Sequence, residues 1–139
     1  MVDAIVRKET FRVAVRAAIH LALALVTAGL VPVAAAQTGP DKGERLFLRC
    51  RTCHEVAEGR PNKVGPNLHG FFDKPAAQVS GFKYSQALRD SGVVWDDEAM
   101  HVWLTHPTDL VPGTTMAFIG LPDKADRDAL IAYLRKATN

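Results

Sequence analysis

The cysteines of this chain form its most specific chemical pattern. The only two, Cys50 and Cys53, are followed directly by His54 in the pentapeptide Cys-Arg-Thr-Cys-His. On a helix these three side chains share one face, because residues three and four apart are neighbours. C-x-x-C-H is the attachment pattern of c-type haem, in which two thiols add to the porphyrin vinyl groups and the imidazole reaches the iron. The pattern predicts one haem c, bound covalently through Cys50 and Cys53.

Three other interpretations of the two cysteines are open from the pattern alone. A thioredoxin-like redox pair would need a βαβ pattern, which the flanking sequence lacks. A zinc site would need a second ligand pair, and the chain has no second pair of cysteines. A disulfide across two intervening residues would close a very short loop and stabilise little. Haem attachment fits the rest of the chain better than any of these.

An iron bound by one histidine has a second axial position, and five residues are candidates for it: Met100, Met116, His69, His101 and His106. Met116 lies in a segment rich in proline and glycine, which is free to fold over a porphyrin face. Met100 lies inside a predicted helix and fits a core position. His101 and His106 flank that helix and are expected at the surface, and His69 lies in a loop. These patterns alone leave the second ligand open.

The N-terminal 36 residues predict a secretory signal peptide. A basic segment is followed by an apolar run over 17–33 and by Ala34–Ala36, the small-residue pattern that precedes cleavage, so Gln37 would start the mature protein. The alternative is an uncleaved anchor, because the apolar run is about long enough to span a bilayer. A proline near its end and the short distance to the next helix favour cleavage. We expect a signal peptide at 1–36 and an exported, periplasmic domain at 37–139.

The charge and the length of the chain limit which classes of protein it can belong to. The chain has 17 basic and 15 acidic side chains, and the first 36 residues contain 4 and 2 of them, which leaves 13 of each. A domain with no basic excess is not typical of nucleic-acid binding. The 103 residues after the signal suffice for one small domain, whose modest core would gain from a large apolar cofactor.

The remaining sequence predicts an all-α fold with long loops. Apolar periodicity and capping residues predict helices at 41–53, 85–90 and 96–105, and a last helix that begins near Pro122 or Asp123. No convincing alternating strand is present. The segments 59–81 and 108–120 are rich in loop-forming residues. Long ordered loops in a small domain usually have a functional role, such as surrounding a bound group.

Further motifs follow the pentapeptide in order. They are Val64-Gly-Pro-Asn-Leu-His-Gly70, Gly81-Phe-Lys-Tyr84, Trp95, Val111-Pro-Gly-Thr-Thr-Met116 and the ending Leu130–Asn139. With C-x-x-C-H, they resemble the class I cytochromes c, the family of mitochondrial cytochrome c and its bacterial periplasmic relatives, from about Gly43 to Asn139. The resemblance implies the small cytochrome c fold, about four helices and long loops wrapped around one covalent haem. It also implies an electron carrier, not an enzyme.

The resemblance assigns the haem ligands. Cys50 and Cys53 would form the thioether bonds, His54 would be the proximal iron ligand and Met116 the distal one. Pro66 would offer its carbonyl to the other ring nitrogen of His54, as partners of metal-bound histidines usually do.

The same resemblance implies roles for residues around the haem edge. Tyr84 and Trp95 match positions that hydrogen-bond a haem propionate, and Thr114 matches a hydroxyl near the inner propionate. Phe118 matches an aromatic ring that covers the haem edge. The contact between the first and last helices would involve Gly43, Phe47 and Tyr133.

The chain departs from the family pattern at three pocket positions. Lys74 stands where relatives often have an arginine near the propionates, Trp103 replaces a tyrosine beside the methionine sulfur, and Leu88 replaces an asparagine that orders an internal water. We expect a drier pocket than in those relatives.

The surface charges also differ from the mitochondrial pattern. Uncharged or acidic residues, Thr108, Asp109 and Thr115, replace lysines around the methionine loop. A basic rim could still form from Arg49, Arg51, Lys63 and Lys83. We therefore expect electrostatic docking to redox partners, with weaker steering.

Histidine–methionine ligation suits one-electron transfer, because both ligands stay on the iron in both oxidation states. The sequence predicts a soluble, monomeric periplasmic carrier between a cytochrome bc-type complex and an oxidase, a photosynthetic reaction centre or a reductase. Three alternatives are a five-coordinate enzyme or gas-binding protein, a membrane-anchored carrier, and a permanent subunit of a larger enzyme.

Overall fold

Five helices joined by long loops make up residues 41–139, the part of the chain that the computed structural model describes. They are α1 (Lys42–Arg51), α2 (Gln86–Asp90), α3 (Asp97–Thr105), α4 (Pro107–Leu110) and α5 (Lys124–Ala137). One isolated antiparallel bridge joins Pro75 to Val94. The prediction of an all-α fold is confirmed. The predicted signal peptide lies outside the described residues.

The four predicted helices begin where local capping chemistry places them. A side-chain oxygen directly before each helix accepts the backbone N–H three residues further on, at 2.7–3.2 Å. This satisfies one of the donors that a helix start leaves without a partner. The capping residues are Asp41, Ser85, Asp96 and Asp123.

The one-turn helix α4 was not predicted, since the segment from Thr108 onward was expected to be loop. Pro107 occupies its first turn, where the fixed φ of proline favours helix and the missing N–H costs nothing. The N–H of Val111 donates to the carbonyl of Pro107 at 3.0 Å and closes the turn.

Helix α1 ends at Arg51, two residues before the predicted end at Cys53. The amide N–H groups of Cys53 and His54 still donate to the carbonyl of Cys50, at 3.0 and 2.9 Å. The following carbonyls are used by a distant loop: Gly65 N–H donates to that of Cys53 at 2.8 Å. The ammonium of Lys63 donates to the carbonyls of Arg51 and His54. The helix stops because the loop takes acceptors that another turn would have used.

Helices α1 and α5 cross at a glycine, as the resemblance implied. A β-carbon on Gly43 would lie 2.5 Å from Cβ of Tyr133 and closer still to the carbonyl oxygen of Ala129. The rings of Phe47 and Tyr133 pack beside this crossing, with centroids 5.4 Å apart. Phe47 is buried. The close approach of two backbones therefore depends on the absence of a side chain at Gly43.

Helix α5 supplies much of the buried surface. Leu130 and Leu134 are buried along one of its faces, one turn apart. Leu104 and Trp103 of α3 are also buried in this core. No helix within residues 41–139 is both long enough and apolar enough to cross a membrane.

We predict that Gly43→Ala destabilises the protein by about 1–3 kcal/mol, the usual cost of overpacking a tight contact. At an exposed helix position the same change would stabilise by up to about 1 kcal/mol, because alanine favours helix. The sign of the change in denaturant unfolding of the haem-loaded protein therefore tests the crossing. Leu48→Ala, at a position of α1 that is 58% exposed, is the control and should change stability little. A stabilising Gly43→Ala would contradict the close crossing.

Candidate functional site

A single cavity of about 490 Å³ collects the residues that the sequence singled out. Residues from α1, α2, α3 and α5 and from three loops line it, and most of its wall is apolar. All eight predicted cofactor-binding residues are among the lining residues: Cys50, Cys53, His54, Pro66, Tyr84, Trp95, Thr114 and Met116. The volume lies in the usual range of small-molecule and cofactor sites, about 300–1,000 Å³.

The imidazole of His54 is held in one orientation. Its Nδ1–H donates to the carbonyl of Pro66 at 2.8 Å, so the proton lies on Nδ1 and the lone pair of Nε2 is free. A β-carbon on Gly65 would lie 2.8 Å from both ring nitrogens. Only glycine therefore allows the loop to lie this close to the ring. Burial lowers the pKa of His54, against the opposing effect of the Pro66 hydrogen bond. The ring is thus a neutral, oriented ligand for a metal.

The two cysteines line the same cavity. Burial raises the pKa of Cys50 to about 11, so this thiol is protonated near neutral pH. A thioredoxin-like pair needs the opposite, a thiolate stabilised by its surroundings. Residues 41–139 also contain no group of three or more His, Cys, Asp or Glu side chains suited to a metal ion. The redox-pair and zinc interpretations therefore find no support in this part of the chain.

The structure narrows the candidates for a second ligand. Met116, Met100 and His69 line the cavity, whereas His101 and His106 do not. The Nε2 atom of His101 lies 3.2 Å from a carboxylate oxygen of Asp128 on α5. The Nδ1 atom of His106 contacts Thr108 and Asp109.

Among the three that line the cavity, Met100 is buried within α3, as expected of a core residue. Met116 lies in the loop before α5, where its N–H donates to the hydroxyl of Thr114 at 3.4 Å. Met100 therefore reaches the cavity from a helix, and Met116 reaches it from a loop.

Polar side chains on the wall come from two segments that flank α2 in the sequence. The phenol oxygen of Tyr84 accepts the N–H of Val79 at 3.3 Å, and burial raises its pKa. The indole of Trp95 packs edge-on against Trp103, with centroids 5.1 Å apart. Both groups can donate a hydrogen bond to an anionic ligand in the cavity.

The three residues at which we expect departures from the family pattern all line the cavity. Leu88 and Trp103 are buried there, and Lys74 lines it as well. Leu88 and the indole of Trp103 present mostly apolar surface. That the pocket is drier than in relatives stays a prediction.

Asn67 is a buried residue beside the site that the sequence analysis did not single out. Its side-chain amide donates to the carbonyls of Ala57 and Arg60 at 2.8 and 2.9 Å, and its oxygen accepts the N–H of His69 at 2.9 Å. The residue is 8% exposed. It fixes the loop that carries Pro66 against the chain leading away from His54. An asparagine inside an otherwise apolar and glycine-rich motif was the available signal.

Lys63 proves to be a structural cation. Its ammonium lies 2.6 Å from a carboxylate oxygen of Glu55 and donates to the carbonyls of Arg51 and His54 at 2.9 and 3.3 Å. The expectation that Lys63 contributes a free charge to a basic rim therefore needs correction. Arg49 lies on the cavity wall, as expected of a rim residue. The sequence could not show these contacts, since Lys63 meets its partners only through the loop.

The comparisons with known proteins agree with this geometry. The family model for cytochrome c matches residues 40–138. The chain belongs to the cytochrome c family. Cytochrome c2 of Rhodoblastus acidophilus is 46% identical over 95 residues, which cover 68% of this chain and 89% of that protein. Cytochrome c of Kluyveromyces lactis is 44% identical over 97 residues, covering 69% and 88%. Cytochrome c2 of Blastochloris viridis is 39% identical over 111 residues, covering 80% and 87%.

Membership of this family makes the protein an electron-transfer protein with covalent haem c, and not an enzyme. The described residues fit that cofactor. The cavity offers two thiols at C-x-x-C spacing, an oriented neutral imidazole and an apolar wall of suitable size.

We predict that Asn67→Ala destabilises the haem-loaded protein by about 1–3 kcal/mol, because it removes three partly buried hydrogen bonds, to Ala57, Arg60 and His69. Denaturant unfolding measures the loss. Glu58→Ala, at an exposed position of the same loop, is the control and should change stability by less than about 0.5 kcal/mol. Equal effects of the two substitutions would contradict the role given to Asn67.

Proposed function

We propose that this protein is a soluble one-electron carrier of the bacterial periplasm, with a haem c iron bound by His54 and Met116. The observation that carries the proposal is the shared cavity. An imidazole with a free Nε2 and a methionine on a separate loop both line the space next to Cys50 and Cys53. When bound, the haem supplies a reversible one-electron change at its iron.

The residues around the cavity would each do one part of the work. His54 and Met116 would both bind the iron, so that oxygen or a substrate would find no free position on it. Pro66 keeps the proton of His54 on Nδ1, so that Nε2 stays available as a ligand. Tyr84 and Trp95 would hydrogen-bond a haem propionate, and the apolar wall excludes water. Such a site reorganises little on gaining an electron.

We predict that Met116→Leu removes the methionine–iron charge-transfer band of the oxidised protein and lets the reduced protein bind carbon monoxide rapidly. Leucine keeps the side-chain volume but cannot bind iron. The matched control is Met100→Leu, since Met100 lines the same cavity from helix α3. Visible spectra of the three proteins, with and without carbon monoxide, measure both effects.

The control should keep the band and resist carbon monoxide. A band that survives in Met116→Leu and disappears in Met100→Leu would reassign the ligand to Met100. Rapid carbon monoxide binding by the unsubstituted protein at neutral pH would favour a five-coordinate haem protein over a carrier.

The proposed location depends on the signal at residues 1–36, which lies outside the described residues. The basic segment, the apolar run and Ala34–Ala36 support export and cleavage. We predict that the protein isolated from its native host begins at or near Gln37 and is found in the periplasmic fraction. N-terminal sequencing and cell fractionation check this. A chain that keeps residues 17–36 and sediments with membranes would instead be an anchored carrier.

The proposed partners are redox proteins: a cytochrome bc-type complex as donor and a terminal oxidase, a reaction centre or a reductase as acceptor. Relatives named cytochrome c2 and cytochrome c support this class of partner. Docking would be transient and through a small interface, as in other redox encounters. Arg49 and Lys83 would contribute to its charge, while Lys63 is already paired with Glu55.

A further inference from the structure

One guanidinium joins three separate elements at the edge of this domain. Nε of Arg135, near the end of α5, donates to Asp97 at the start of α3 at 2.8 Å. Its two terminal nitrogens donate to the two carboxylate oxygens of Asp73 at 3.1 and 3.3 Å. The group also lies over the ring of Phe72, 4.3 Å from its centroid. Arg135 therefore makes a bidentate pair, a second ion pair and a cation–π contact at once.

The segment that Arg135 holds has a strained backbone. Asp73 and Ala77 have φ values of 59° and 63°, in the left-handed region that favours glycine. Such conformations are unfavourable for residues other than glycine and persist only where the surroundings impose them. The Arg135 guanidinium holds the pKa of the Asp73 carboxyl below its usual range, which shows that the ionised pair is the favoured state. Strain of this kind is often found beside functional sites.

The strained segment carries Lys74, which lines the cavity, and it is hydrogen-bonded to Trp95, which lines the cavity from another segment. The N–H of Asp73 donates to the carbonyl of Trp95 at 3.0 Å, and the N–H of Trp95 donates to the carbonyl of Lys74 at 3.0 Å. These bonds couple the position of Lys74 to that of Trp95. Both side chains are on the cavity wall, whereas Arg135 is not. Within residues 41–139, Lys74 forms no ion pair with a carboxylate.

We propose that Arg135 is a positioning residue of the electron-transfer site: through Asp73 it fixes Lys74 and Trp95 at the cavity edge, where they would offset the negative charge of the carboxylates of a bound haem and raise the reduction potential. The inference rests on the proposed function, because it requires a haem in this cavity. A cation and an N–H donor next to the carboxylates offset their negative charge, which favours the reduced iron. A fixed wall also limits the access of water to that edge.

The test compares two substitutions at adjacent positions of α5. We call the contacts of Arg135 with Asp73, Asp97 and Phe72 the clamp. Arg135→Met and Lys136→Met each remove one positive charge, but Lys136 is exposed and has no role in the clamp. Spectroelectrochemical titration of the haem-loaded proteins measures the potential, and denaturant unfolding measures the stability. We expect Arg135→Met to lower the one-electron equilibrium constant at least threefold and Lys136→Met to change it much less. Equal shifts in the two variants would overturn the proposal.

Asp73→Gly distinguishes the effect of positioning on the reduction potential from the direct effect of a charge. Glycine relieves the left-handed strain, so this variant should fold even if Arg135→Met does not. Loss of a negative charge would raise the potential by Coulomb's law alone, whereas loss of the clamp would lower it. We expect a lower potential, and an intermediate one for Arg135→Lys, which keeps the charge but not the bidentate fork. A raised potential in Asp73→Gly would show that the clamp is only structural.

The methionine–iron band separates this proposal from the proposed function. A band that is retained in every variant, with unequal potentials, supports the positioning role of Arg135. Absence of the band from the unsubstituted protein would mean that the ligand assignment has failed, and the comparison of Arg135→Met with Lys136→Met would still show whether the clamp acts on the cavity.

Discussion

The hydrophobic core of this domain is built around a cavity, and the rest of the structure depends on what fills it. Core residues such as Leu104, Leu134 and Trp103 face the cavity as well as one another. Without a molecule in this cavity, the side chains that line it would lack packing partners on one side. The covalent haem of this family is therefore a structural part of the core as well as the redox centre.

The two sides of the cavity are held in different ways. On the His54 side, Pro66, Asn67 and Lys63 fix the loop and the ring through buried or partly buried hydrogen bonds. On the Met116 side, the described bonds are fewer: Thr114 N–H donates to the carbonyl of Val111, and Met116 N–H to the hydroxyl of Thr114. Segments with few buried bonds open at lower free energy. The methionine side is thus the side on which the site is expected to open first.

Several charged side chains stabilise the fold and are therefore less available for docking to a partner. Lys63 replaces the next turn of α1 by donating to two carbonyl groups, and it neutralises Glu55. The guanidinium of Arg135 donates hydrogen bonds to Asp73 and Asp97. Surface ion pairs contribute little individually, but networks with bidentate geometry are the exception. A count of basic residues in the sequence therefore overstates the charge that remains available to a partner.

The sequence by itself determined the haem attachment and the starts of four helices, because each depends on residues close together in the chain. It indicated the family through several such short motifs in a fixed order. C-x-x-C-H spans five residues, and Asp41, Ser85, Asp96 and Asp123 cap helices through bonds to the third residue on. Only the tertiary structure decided where α1 ends, how Asn67 holds the loop that carries Pro66, and what Arg135 binds. Arg135 and Asp73 are 62 residues apart, and no local pattern records such a pair. The physical reason is that folding brings distant donors and acceptors together, whereas periodicity and capping act within one or two turns.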